Sequence, residues 1–281
     1  MNRSVVEYGH HPGREYTPAA FRHYVRRLAL FGAMERLDFS TALDVGCAEG
    51  FFMGAIGERF GAEMWGVDIS DAAVRKARDT LGTPVAAADA LNLPLADGSF
   101  DLVYSTETIE HVLHPEKMIS EMRRVARRWV VVTTPVSQSA HEHEPDFELK
   151  DEGHVNDFDQ ATMERLFGPG ADLGSFRCNS TFALLKAVGR YLPAPLRDGF
   201  YRVDHWTARR LGGPHKAFTP LRNRDWLIIA PGDGHEAGPR EWRCPICKGP
   251  LDQSADGLRC PADGNSYGFV SDGIPDFARA A

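Results

Sequence analysis

Residues 43–50 read LDVGCAEG and residues 51–61 continue FFMGAIGERFG. An apolar run gives way to a loop bracketed by Gly46 and Gly50 and then to a helix-like segment, the order of a strand, a tight turn and a helix. Outward from this unit the alternation repeats. EMWGVDIS and DAAVRKARDTLG form a second pair, and PVAAADA, FDLVYST and WVVVTTP read as three further strands. The helix PEKMISEMRRVARR separates the last two, with Met118, Met122 and Val125 at i, i+4 and i+7. Strands alternating with helices imply right-handed βαβ units, so the expected fold is α/β with a mostly parallel sheet. Two more strands, near FRCNSTFALL and at RDWLIIAP, bring the sheet to seven. Between them and the fifth strand lies the helix QATMERLFG, which Asp157 or Asp159 could cap.

Ligands of open α/β sheets bind beyond the carboxyl ends of the strands, where the first loop meets a helix. The spacing here is G-x-x-x-G, without the third glycine of the dinucleotide fingerprint, which argues against a pyrophosphate cradle. Three successive strand ends offer Asp44, Asp68 and Asp89. A polyphosphate would be repelled there, whereas a ligand bearing an ammonium group, a ribose and adenine would use all three carboxylates.

LDVGCAEG, GVDIS, ADALNLPLADGSFDLV, ETIEHVLHPEKMISEMRRV and VVVTTP together resemble class I S-adenosylmethionine (SAM) dependent methyltransferases of the type 11 group, over roughly residues 40–170. The resemblance implies a Rossmann-like seven-strand sheet with helices on both faces. It places Asp44 and Gly46 near the methionine moiety, with Ala48 and Gly50 in the same loop. Asp68 and Ile69 fall at the ribose, and Asp89 and Ala90 at the adenine. Ala48 departs from the commoner G-x-G-x-G, which should be tolerated if its φ is negative, where a methyl group costs little. Cys47 reads as a small packing residue rather than a nucleophile.

The 281-residue chain is 43% hydrophobic and 25% charged, the composition of a globular protein with one sizeable core and a small appendage. Its formal net charge of -7 disfavours broad binding to nucleic acid, which relies on Lys and Arg contacts to phosphate. No apolar h-region opens the chain and no apolar run is long enough to span a bilayer, so a cytoplasmic protein is expected. Residues 1–38 read as a helical lead-in, 39–231 as the catalytic domain, 232–240 as a Gly- and Pro-rich linker and 241–281 as a separate small module.

Methyl transfer from a sulfonium requires an acceptor held in near-attack geometry and supplied deprotonated. The segments after the fourth and fifth strands, 105–111 and 136–154, should face it. Glu107, Glu110 and His111 form an E-x-x-E-H arrangement; on a helix the three would share a face and could hold a divalent ion. The arrangement resembles the metal-binding pattern of ubiquinone-pathway O-methyltransferases, and a structural role in fixing the loop reads it equally. His141, His143 and His154 lie among acids, and His143 is the candidate general base. An aromatic- and Arg-rich insertion, 184–222, carries Tyr191, Phe200, Tyr201 and Trp206. It reads either as a lid over the acceptor or as a helical hairpin packed on the sheet.

Of the five cysteines, Cys244, Cys247 and Cys260 crowd the last forty residues, which suits reduced thiols and a metal better than a disulfide framework. Cys244-x-x-Cys247 has the form of a zinc knuckle, and the second knuckle offers Cys260 with Asp263 where a fourth Cys is expected. With its SYGFVSDGIPDF tail the module resembles the small zinc-ribbon family that activates tRNA, rRNA and protein methyltransferases. That resemblance implies a Cys3Asp zinc site, a stabilising role, or a docking site for a protein partner. The whole sequence therefore reads as a methyltransferase acting on a small molecule, by preference at oxygen. The alternatives are a tRNA or rRNA methyltransferase and a non-catalytic SAM-binding regulator or scaffold.

Overall fold

The computed structural model describes Arg26 and residues 29–136, 154–177, 224–271 and 273–278. The expectations for His141, His143 and the 184–222 insertion lie outside the described residues. Helix α1 is helical at Arg26 and over 29–34. There follow β1 (Thr41–Val45), α2 (Phe51–Phe60), β2 (Glu63–Asp68), α3 (Asp71–Leu81), β3 (Val85–Ala87) and β4 (Phe100–Thr106). A 3-10 turn (Ile109–His111) leads to α4 (Pro115–Val125), β5 (Ala126–Pro135), α5 (Gln160–Phe167), β6 (Asp172–Arg177) and β7 (Arg224–Pro231).

These seven strands form one sheet in the order β3-β2-β1-β4-β5-β7-β6. Pairings from β3 to β5 are parallel, and β7 runs antiparallel to both β5 and β6. The order reverses between β1 and β4, so the first loop opens onto the crevice where such sheets bind ligands. Side chains alternate between two cores. Leu43 and Val45 of β1 face Met118, Met122 and Val125 of α4, while Ala42 faces Met53 and Ile56 of α2 and Val74 of α3. The 3.6-residue spacing of the α4 apolar groups thus fixes that helix on the sheet.

Two boundaries differ from the sequence reading. Helix α4 ends at Val125, and Ala126, Arg127 and Arg128 begin β5 instead of completing the helix. Tertiary pairing overrides helix propensity there: Ala126 registers with Phe100, and Arg127 pairs with the buried Asp101. Strand β6 starts at Asp172, upstream of FRCNSTFALL, because its residues pair one for one with β7 from Ile229 to Arg224. Of the two candidate caps for α5, Asp159 serves, its carboxylate accepting from the Thr162 N–H at 2.8 Å.

The C-terminal residues add a three-stranded sheet of β8 (Asp252–Gln253), β9 (Leu258–Arg259) and β10 (Ser266–Tyr267), then a pair, β11 (Phe269–Ser271) and β12 (Ile274–Pro275). They pack on the edge of the main sheet. Phe277 and Ala278 donate backbone hydrogen bonds to Ala87 of β3 at 2.7 and 3.1 Å, and Asp276 bridges Ala87 in parallel register. The exposed edge of β3 is covered in this way. Trp242 packs against Trp65 of β2 with centroids 4.8 Å apart and the rings tilted by 53°. Residues 232–240 are tied down as well: Gly232 donates to Arg128, Asp233 to Arg123 and Gly238 to Gly98. No helix among the described residues is long and apolar enough to cross a membrane.

Candidate functional site

The loop after β1 turns on Gly46, at φ 80°, where a side chain would meet Thr108 Oγ1 at 2.2 Å. Glycine is needed there on both counts. Ala48 does not meet the condition of negative φ, since its φ is +46°, in the left-handed region. The cause is visible in Asp68. Ala48 turns its N–H onto Asp68 Oδ2 at 2.8 Å, and Ser70, the N-cap of α3, donates to Asp68 Oδ1 at 2.8 Å. One carboxylate therefore fastens the first loop to the start of α3, and the Ala48 hydrogen bond offsets part of the cost of a left-handed alanine.

Asp44, at the end of β1, is almost fully buried. Tyr104 donates to its Oδ2 at 2.8 Å, while Oδ1 has no hydrogen-bond partner among the described residues. Burial pushes the Asp44 carboxyl up to about 7, against the Tyr104 hydroxyl, with the nearby Asp68 adding to the rise. Burial likewise raises Asp68, and the N–H groups of Ser70, Ala48 and Ile69 oppose it. Asp89 follows β3, its Oδ1 accepting from the Leu91 N–H at 2.9 Å. Ala90 is half-buried beside it, and Ile69 is exposed next to Asp68. Adjacent strand ends thus bring Asp44, Gly46, Ala48, Gly50, Asp68, Ile69, Asp89 and Ala90 together. Buried Cys47 packs against Gly66, and burial drives its thiol well above the usual range, so it is held as the protonated thiol.

A second group gathers at the end of β4, and it is not the trio expected. Glu107, at φ 54°, turns to Arg26 of α1 and accepts from Thr133 at 3.4 Å. Arg26 also holds Asp225 of β7 at 2.6 Å. A 3-10 turn replaces the helix on which Glu107, Glu110 and His111 would have shared a face. His154 takes the place of Glu107: ligand atoms of Glu110, His111 and His154 all lie within 4.8 Å of one another. Glu110 is buried, and burial pushes its carboxyl up to about 7 against a hydrogen bond from Thr134. The i, i+3, i+4 spacing could not reveal His154, because it lies forty-three residues beyond His111, just ahead of α5.

In the C-terminal residues the four expected ligands converge, with donor atoms within 4.8 Å of one another. Cys247 and Cys260 sulfurs are 3.4 Å apart, and Cys244 lies 3.1 Å from an oxygen of Asp263. The Cys244 thiol that donates to Asp263 is the first cause holding that carboxyl well below the ordinary range. Lys248 adopts φ 59° and Gly249 N–H points at Cys247 Sγ at 3.4 Å.

Residues 43–131 match the methyltransferase domain family. The chain is 35% identical over 109 residues to tocopherol O-methyltransferase of Arabidopsis thaliana, covering 35% of this chain and 31% of that protein. It is 41% identical over 91 residues to norajmaline N-methyltransferase of Rauvolfia serpentina, covering 30% and 31%. The match thus spans about a third of the length of these relatives. In fold, the chain is similar to phosphoethanolamine N-methyltransferase 2 of Haemonchus contortus with a TM-score of 0.50 at 15% identity, covering 79% of this chain and 58% of that one.

Proposed function

We propose that the chain is a SAM-dependent methyltransferase whose acceptor is a small molecule, methylated at oxygen. The observation that carries the reading is Asp44 Oδ1, a buried carboxylate oxygen without a hydrogen-bond partner among the described residues, at the head of a row of strand-end acids. An ammonium group is the donor that a bare buried carboxylate oxygen lacks. Asp68 would take the ribose hydroxyls with its remaining lone pairs and Asp89 the adenine amine, while Gly46 lets the methionine end approach the backbone. When bound, SAM supplies a methyl group on a sulfonium, the electrophile of the reaction. We assign the acceptor side to the β4 end, through Glu107 and His111, and to the segment carrying His143. The names of the O- and N-methyltransferase relatives, both of small molecules, support the substrate class. The test is label transfer from methyl-labelled SAM into cell extract fractionated into organic-soluble, water-soluble, RNA and protein pools. Label in a small-molecule pool supports the reading; label confined to RNA or protein overturns it.

We further propose that Cys244, Cys247, Cys260 and Asp263 hold Zn2+ as a Cys3Asp site that stabilises the catalytic domain in cis. Three sulfurs and a carboxylate oxygen suit zinc, and strands of two or three residues bury too little to fold alone. Lys248, inside the first knuckle, supports the coupling. Its Nζ donates to Leu93 O at 3.1 Å and to Glu121 Oε2 at 2.9 Å, and the same Glu121 oxygen accepts from the Leu93 N–H. The knuckle is thereby joined to the segment that follows Asp89 and Ala90.

A further inference from the structure

Three sulfurs and one carboxylate set the C-terminal cluster apart from one of four thiols, because at most one disulfide can form among them. The sulfurs differ in access and in company. Cys244 is buried, 3.1 Å from Asp263 Oδ2 and 3.2 Å from the Tyr267 hydroxyl. Cys260 is buried too and its backbone is pinned, its N–H donating to Asn265 O at 2.8 Å and its carbonyl accepting from the Gly264 N–H at 3.0 Å. Cys247 is exposed beside Ile246, itself 61% exposed, and its sulfur lies 3.4 Å from that of Cys260. Two thiolates each about 2.3 Å from a tetrahedral zinc stand about 3.8 Å apart, so this pair is already closer than zinc requires. One sulfur faces solvent with a second directly behind it, the arrangement of an attacking and a resolving cysteine.

Lys248 connects the pair to the catalytic domain. It follows Cys247 directly, at φ 59°, in a turn closed by the Lys248 N–H on Cys244 O at 2.9 Å. Its Nζ reaches Leu93 O and Glu121 Oε2, and Arg124 of α4 joins the same group by donating to Leu93 O at 3.2 Å and to Leu95 O at 2.8 Å. Those carbonyls belong to the segment after Asp89 and Ala90, the residues assigned to the adenine. Drawing Cys247 onto Cys260 therefore pulls Lys248, its neighbour in the chain, away from Glu121.

We propose that Cys247 and Cys260 are a reversible oxidation site, at which a peroxide joins the two sulfurs, empties the metal site and weakens cofactor binding. The Cys247 thiolate attacks one oxygen of the peroxide, the O–O bond breaks and hydroxide leaves, giving a sulfenic acid. The Cys260 thiolate then attacks that sulfur, the S–O bond breaks and a second hydroxide leaves. Two thiolates, one hydrogen peroxide and two protons thus become one disulfide and two waters, with two electrons passing from the sulfurs to the peroxide. Cys244 and Asp263 remain, two donors where a structural zinc takes four, so the ion is released. A dithiol reductant with Zn2+ reverses the change. The oxidation site stands on the cysteine geometry; the metal and cofactor effects rest on the zinc and methyltransferase readings above.

The experiment exposes the zinc-loaded full chain to one equivalent of hydrogen peroxide. Free Zn2+ is followed with a chromogenic chelator and linked peptides are mapped by mass spectrometry. S-adenosylhomocysteine affinity is measured by calorimetry before oxidation, after it, and after dithiothreitol with Zn2+. The expected result is a peptide linking Cys247 to Cys260, one equivalent of zinc released for each disulfide, and S-adenosylhomocysteine affinity weakened at least about fivefold, all reversed by reduction with Zn2+. Lys248→Met should keep the disulfide and the zinc release while its S-adenosylhomocysteine affinity no longer responds to peroxide. Sulfurs that stay reduced, that oxidise without pairing or that pair through Cys244 overturn the oxidation site. A mapped disulfide with S-adenosylhomocysteine affinity unchanged overturns the coupling to the cofactor and leaves the methyltransferase reading intact. A chain that takes up no zinc overturns the zinc reading, and one that binds no S-adenosylhomocysteine in either state overturns the methyltransferase reading; in both cases the peptide linking Cys247 to Cys260 still decides the oxidation site.

Discussion

Removing the Asp68 carboxylate tests the cofactor assignment most directly. In Asp68→Ala two kinds of interaction go together. The proposed bonds to the ribose hydroxyls are charge-assisted, and losing them costs roughly 1.5–3 kcal/mol, which weakens binding by about 10- to 150-fold. The N–H groups of Ala48 and Ser70, each 2.8 Å from the carboxylate, also lose their acceptor. The first loop then relaxes, so the upper part of that range is expected. Calorimetric titration of S-adenosylhomocysteine into wild type and variant measures the effect, and thermal unfolding of the free proteins separates it from global destabilisation. A folded Asp68→Ala protein whose affinity stays within about twofold of wild type refutes the ribose assignment.

Three other perturbations follow from particular atoms. The Asp44 carboxyl, raised by burial to about 7 and neighboured by Tyr104, Asp68 and Cys47, keeps its proton in the folded chain over a range where the unfolded chain has lost it, so it takes stability away as pH rises from about 4 to 7. A cofactor ammonium favours the ionised form, so S-adenosylhomocysteine affinity should rise with pH up to about 7 and flatten above it, and calorimetry across pH should find the slope lost in Asp44→Asn. Cys247→Ser should release zinc from the C-terminal residues and lower the melting temperature; a full equivalent of zinc retained by mass spectrometry would show that the ligand set is wrong. Ala48→Gly places glycine at φ +46° and should leave stability unchanged or raise it by up to about 1 kcal/mol in denaturant titration, whereas a clear loss would show that the alanine methyl has a packing role.

What could be read from sequence follows from how local each signal is. Strand ends carrying Asp44, Asp68 and Asp89 were legible because burial on both faces makes parallel strands continuous apolar runs and an acid stands out against them. The spacing of Met118, Met122 and Val125 likewise gave α4 its buried face. The end of that helix was hidden, since Ala126 to Arg128 are good helix formers and only pairing with β4 draws them into a strand. The conformation of Ala48 was hidden for a similar reason. Its sign depends on an acceptor twenty residues away, which residue type alone does not show.

The acidic cluster at the β4 end shows the same limit in its strongest form. E-x-x-E-H suggested a single helical face, but that reading assumes regular helix from Glu107 onward. Thr106 is still in β4, Glu107 takes a left-handed turn, and only Ile109 to His111 make a turn of 3-10 helix. Side chains separated by three and four residues are then no longer neighbours on one face. The two glutamates part: Glu107 joins Arg26 from the start of the chain, and Glu110 remains under His111 until the backbone of residues 155 and 156 brings His154 beside it. The clustered chemistry is therefore a property of the sheet, which gathers α1, β4, β7 and residues 154–156 at one end. No window of local sequence contains it.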